Sequence, residues 1–156
     1  MITRINLRDT IHITYAWCVF IAVMLLTPMP ITTYEEQTTY FDKITHAILF
    51  GVFAFLIYYT LRAVGEDRII INPDKNIKLK ARNKNKPLNK RPKVPIRRML
   101  IIYLSAFSVS IISSMSLEYL QAYVPGRSPN DLDFLASIIG VILVLLFVYG
   151  DNYAKK

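Results

Sequence analysis

Apolar residues in this chain gather into four long runs separated by polar stretches, at roughly residues 11–27, 44–64, 99–120 and 132–149. A helix crossing lipid needs about 20 mostly apolar residues, because roughly 30 Å must be spanned at 1.5 Å per residue and lipid offers exposed backbone groups no partner. The first run stops at Pro28 and Pro30, the second at Gly65 and the fourth at Gly150, while the third follows Arg97 and Arg98. Glu118 interrupts the third with a charge. The pattern predicts an all-α fold, a four-helix transmembrane bundle forming a single domain over residues 1–156. Arg4 and Arg8 ahead of the first run resemble the start of a secretory signal. No small-x-small cleavage pattern follows, so a retained helix is expected.

Composition points the same way. The chain has 156 residues, 53% of them hydrophobic, and its mean hydropathy is positive, which is too apolar for an ordinary soluble fold of this size. A net charge of +8 would suggest nucleic acid if it covered a soluble surface. Instead, twelve of the basic residues, from Arg68 to Arg98, fall between the second and third runs, against only Glu66, Asp67 and Asp74. Lys and Arg in short loops are retained on the cytoplasmic side, so residues 65–98 are expected to form a flexible cytoplasmic loop and both termini to lie in the cytoplasm. The loop from Pro28 to Asp42, with Glu35, Glu36 and Asp42 and no Lys or Arg, then falls outside. The basic loop either fixes topology or attaches to anionic lipid headgroups or an acidic partner; nucleic acid is not expected. Cys18 is the only cysteine and excludes an intrachain disulfide.

This orientation brings the scattered polar residues to one depth. Asp42, Lys43 and His46 open the second run, Glu118 and Gln121 close the third, and Arg127, Asn130, Asp131 and Asp133 precede or open the fourth. Ionisable groups at a membrane boundary pair or face a polar cavity. Asp42 and His46, four apart, share a helix face. Ala106, Ser110 and Ser114 repeat every fourth residue and lead to Glu118; Asp133, Ser137 and Gly140 make a similar stripe on the fourth helix. Small residues at that spacing let membrane helices approach closely. If the two stripes face each other, Glu118 and Asp133 meet, with Arg127 as their counterion. Pro125-Gly126 suits a tight reversal, and Ser128 with Asp131 suits a helix cap.

Asp42-Lys43-x-x-His46, then Glu118-x-x-Gln121, Pro125-Gly126-Arg127 and Asp133 with Gly140 resemble the VanZ-like family, small bacterial membrane proteins named for a member linked to teicoplanin resistance. The chain departs from that pattern with Asn130 in place of an acid, Ser137 in place of Asn and Val144 in place of a small residue. The resemblance implies a protein of the bacterial cytoplasmic membrane and cell envelope. It also implies that Asp42, Lys43, His46, Glu118, Gln121, Arg127 and Asp133 form a ligand-binding or ion-pair cluster for an anionic or polar headgroup.

Membrane lipids are the expected partners. A membrane-protein partner reached through the helix faces or the 65–98 loop would make the chain an accessory subunit of a larger complex. His46, Asp42, Glu118 and Asp133 would also serve as acid/base groups of a hydrolase or transferase on lipid-linked phosphate, or as a mixed His/carboxylate metal site. No nucleophile or catalytic signature accompanies them, so neither catalytic residues nor a cofactor or metal are assigned.

Overall fold

The computed structural model describes residues 7–28, 35–71, 96–127 and 129–154; for residues 35–39, 66–71, 153 and 154 it describes the backbone alone. Four helices account for nearly all of it: α1 (Leu7–Leu26), α2 (Glu35–Ile71), α3 (Ile96–Gln121) and α4 (Asp131–Ala154). No strand occurs among the described residues. All four are long and apolar enough to cross a membrane, α2 over Tyr40–Gly65 and α4 over Asp131–Asn152. The chain is an integral membrane protein with a four-helix bundle.

The helices outrun the apolar segments that predict them. The second does not stop at Gly65: α2 continues to Ile71. A glycine costs about 1 kcal/mol in a helix interior, too little to end one already propagating, and the next strong stop is Pro73. At 37 residues α2 is about 55 Å long, well beyond the lipid core. The fourth likewise passes Gly150 to reach Ala154, and α3 begins at Ile96, directly after Pro95. The expected loop 65–98 is thereby shortened at both ends; its remainder, residues 72–95, lies outside the described residues.

α2 is the axis of the bundle and touches each of the other helices, most extensively α4. α1, α3 and α4 each bury a stripe and leave much of their apolar surface outward, as a lipid solvent permits, whereas α2 exposes only Tyr40, Phe41, Ile44 and Ile48 over residues 40–65. On α1 the stripe is Thr14, Ile21 and Leu25, joined by half-buried Trp17 and Cys18. Trp17 Nε1 donates to the Leu49 carbonyl at 3.1 Å, and the hydroxyls of Thr14 and Thr60 meet at 2.9 Å, fastening α1 to α2. On α3 it is the expected Ala106, Ser110, Ser114 and Glu118, extended by Gln121.

The small-residue stripe of α4 has a different partner from the one expected. Its Gly140 lies against α2, while Asp133 at its start comes within electrostatic reach of Glu118 on α3, as expected. A Cβ on Gly140 would collide with the backbone of Ala47, 2.8 Å from its Cα, and a Cβ on Gly51 would stand 3.1 Å from the Gly140 carbonyl oxygen. Ala47-x-x-x-Gly51 on α2 is thus the complement of Ser137 and Gly140, and this spacing of small residues is what lets the two backbones touch.

At the end of the bundle away from the Arg127 turn, Asn152 of α4 gathers three helices. Its amide nitrogen donates to the hydroxyls of Tyr58 (3.0 Å) and Tyr103 (3.2 Å), and its oxygen accepts from Arg62 at 2.9 Å. The Tyr58 and Tyr103 rings lie 4.8 Å apart.

Candidate functional site

The hairpin between α3 and α4 sets the site's geometry. Val124-Pro125-Gly126-Arg127 closes with the Arg127 N–H donating to the Val124 carbonyl at 3.1 Å, and Gly126 adopts φ 78°. Proline second and a positive-φ glycine third is a type II turn, which the sequence specifies outright. The helix cap differs from the expected one. Asn130 Oδ1 accepts the Leu132 N–H at 3.0 Å, and the Asn130 carbonyl accepts those of Asp133 and Phe134. Asn130 is therefore the N-cap and Asp131 the first helical residue, where its charge complements the helix dipole. Ser128, the expected cap, lies outside the described residues.

Arg127 also does something other than bridge Glu118 and Asp133. Its guanidinium donates to the carbonyls of Met24 (3.0 Å) and Thr27 (3.3 Å) and stands 3.7 Å from Asp42. The amide of Gln121 donates to the next carbonyl, that of Leu25, at 3.2 Å. Carbonyls in the last turn of a helix have no intrahelical donors, and Pro28 follows too closely for the backbone to supply them. Side chains about one hundred residues away do so instead, and the arginine's charge suits the negative end of the α1 dipole. Arg127 thus joins the end of α1, the start of α2 and the α3–α4 turn. Only 7% of its side chain is exposed.

The other carboxylates converge beside it. Glu118 Oε1 accepts the Asn130 backbone N–H at 2.5 Å, completing the first turn of α4 from α3. One oxygen each from Asp42 and Asp133 and one ring nitrogen of His46 all lie within 4.8 Å of one another, a set that could hold a metal ion. His46 is fully buried and Asp133 nearly so, while Asp42 forms the half-exposed mouth. The Ser137 hydroxyl donates to the Asp133 carbonyl at 3.0 Å and lies 3.5 Å from His46 Nδ1. Lys43 Nζ lies 6.0 Å from the centre of the Tyr40 ring, with Asp133 within its electrostatic reach.

The seven expected site residues therefore share one end of the bundle in two groups. Asp42, His46 and Asp133, with Glu118 and Lys43 around them, form a polar cluster; Arg127 and Gln121 tie down α1, with Asp42 as the link. Four buried side-chain atoms at this end have no hydrogen-bond partner: His46 Nε2, Ser114 Oγ, Glu118 Oε2 and Asp133 Oδ1. Such groups are costly to leave unsatisfied. Two contributors escaped the sequence reading. The α1 carbonyls left no side-chain signal, whereas Ala47-x-x-x-Gly51 was a legible small-residue spacing.

No family model matches the chain, and no curated protein or solved structure matches it.

Proposed function

We propose that the chain is a VanZ-like integral membrane protein of the cell envelope, with both termini in the cytoplasm, whose site on the outer rim binds the polar or anionic headgroup of a lipid. The observation that carries this reading is the group of four buried, unpartnered polar atoms at one end of the bundle. Three of them, on His46, Glu118 and Asp133, belong to residues that carry the family resemblance. Unmet acceptors at a membrane boundary call for a ligand with O–H or N–H donors. Lys43, beside the acceptors, provides a positive charge for an adjoining phosphate. Arg127, its donors already engaged by α1 and Asp42, shapes the mouth and does not clamp the ligand.

The test is lipid extraction from protein purified in mild detergent. Wild type should retain a phosphate-bearing lipid, and Lys43→Ala and Asp133→Asn should lose most of it while remaining helical. Equal lipid content in all three would overturn the reading. Elution as a stable complex with another membrane protein would favour an accessory subunit instead. The link to resistance is tested by expression in a susceptible bacterium, with a raised teicoplanin tolerance expected.

A further inference from the structure

We infer that Asp42, His46 and Asp133 form a divalent metal site, with Zn²⁺ as the ion that fits their mixed nitrogen and oxygen donors. Three observations converge on it.

The first is geometry. The three donor atoms, from two helices, lie within 4.8 Å of one another. Zinc binds imidazole nitrogen and carboxylate oxygen at about 2.0–2.2 Å, so a modest contraction of the set encloses the ion. α2 and α4, which carry all three ligands, are held in register beneath it by the Ala47, Gly51 and Gly140 backbone contact.

The second is the state of the histidine. Ser137 Oγ gives its proton to the Asp133 carbonyl, so toward His46 Nδ1 it presents a lone pair. The ring proton then belongs on Nδ1, and Nε2 is left as a bare lone pair. That atom is buried and has no donor, as is Asp133 Oδ1. An outer hydrogen bond that fixes the free nitrogen of a ligating histidine is a regular companion of metal sites, and Ser137 supplies it here. Arg127, 3.7 Å from Asp42, steadies that ligand as an ion pair and not as a hydrogen bond.

The third is charge. Asp42, Glu118 and Asp133 stand against Lys43 and Arg127, and Glu118 lies within electrostatic reach of all three ligands. Three carboxylates thus outnumber two cationic side chains, an acidic excess that attracts a divalent cation, and Asp42 at the half-exposed mouth gives it a path from water. Three protein ligands leave a fourth position open, as in zinc sites that bind water or a substrate oxygen.

The inference rests on the same proposed site: the ion takes His46 and Asp133, leaving Glu118 Oε2 and the open fourth position to the headgroup, and its binding is read without lipid. The experiment uses full-length protein stripped with chelator, then equilibrated with Zn²⁺ alone and assayed for bound metal by elemental analysis. One Zn²⁺ per chain is expected. Affinity should fall at least tenfold in Ser137→Ala, which keeps every ligand, and binding should vanish in His46→Ala and Asp133→Asn. X-ray absorption of the wild type should show one imidazole and two carboxylates, a result that needs no variant to fold. Folded wild type that takes up no zinc, or zinc whose coordination lacks imidazole, would overturn the inference while leaving lipid retention untouched.

Discussion

Arg127 Nη2 donates to the carbonyl oxygen of Met24 at 3.0 Å, tying the α3–α4 turn to the last turn of α1. A second bond to Thr27 and the charge of Asp42 use the remaining reach of the guanidinium. Lysine has neither the fork nor the number of fixed donors to serve all three. Arg127→Lys should therefore destabilise the protein by about 1–3 kcal/mol. It should also raise hydrogen exchange at the end of α1 and leave the α2–α4 pair protected. Exchange measured by mass spectrometry in detergent checks both.

Gly140 and Gly65 make a matched pair. A methyl group at Gly140 would strike the backbone of Ala47, whereas one at Gly65 meets nothing within 4 Å. Gly140→Ala should cost about 1–3 kcal/mol by forcing α2 and α4 apart. Gly65→Ala should be neutral or stabilise by up to about 1 kcal/mol through helix propensity. Thermal or denaturant unfolding followed by helical circular dichroism separates the two.

The same pair of helices shows what could and could not be seen in the sequence. Four runs of apolar residues carried the helix count, because lipid imposes length and apolarity on every span. The polar residues at the run ends carried the site, since charges in a membrane chain must sit at a boundary or face one another. What the sequence could not decide was which stripe meets which. Ser110 and Ser114 of α3 make a small-residue stripe, as Ser137 and Gly140 of α4 do, and pairing them was natural, yet α4 found its closer fit on Ala47 and Gly51. Nor could a side-chain pattern reveal that Arg127 would be drawn to bare carbonyls, because every helix end has them and only the fold chooses the donor.

Glu118 supports the start of α4 through the Asn130 N–H. Glu118→Ala removes that acceptor and leaves a donor unsatisfied, which should cost about 1–3 kcal/mol. Glu118→Gln keeps a carbonyl oxygen in place and should lose less than half as much. A purely electrostatic role would give the two variants the same loss, and unfolding curves distinguish the cases.

At the opposite end, Asn152 holds Tyr58, Tyr103 and Arg62 together. Asn152→Leu should destabilise by more than Tyr58→Phe. The latter keeps the ring against Tyr103 and gives up only one hydrogen bond, about 0.5–1.5 kcal/mol. Neither should alter metal or lipid content, since both lie at the far end of the bundle. Elemental and lipid analysis of the two variants checks this.

The central claim is that polar side chains from separate helices meet at one end of the bundle, and a distance inside the bilayer tests it most directly. Solid-state NMR of full-length protein in lipid, with ¹⁵N-labelled histidine and ¹³C-labelled aspartate carboxyls, measures the dipolar coupling from the His46 ring to Asp133, with Asp133→Asn assigning the signal. A measurable coupling, consistent with donor atoms within 4.8 Å, is the predicted result. An imidazole with no aspartate coupling, turned toward lipid, would contradict the account.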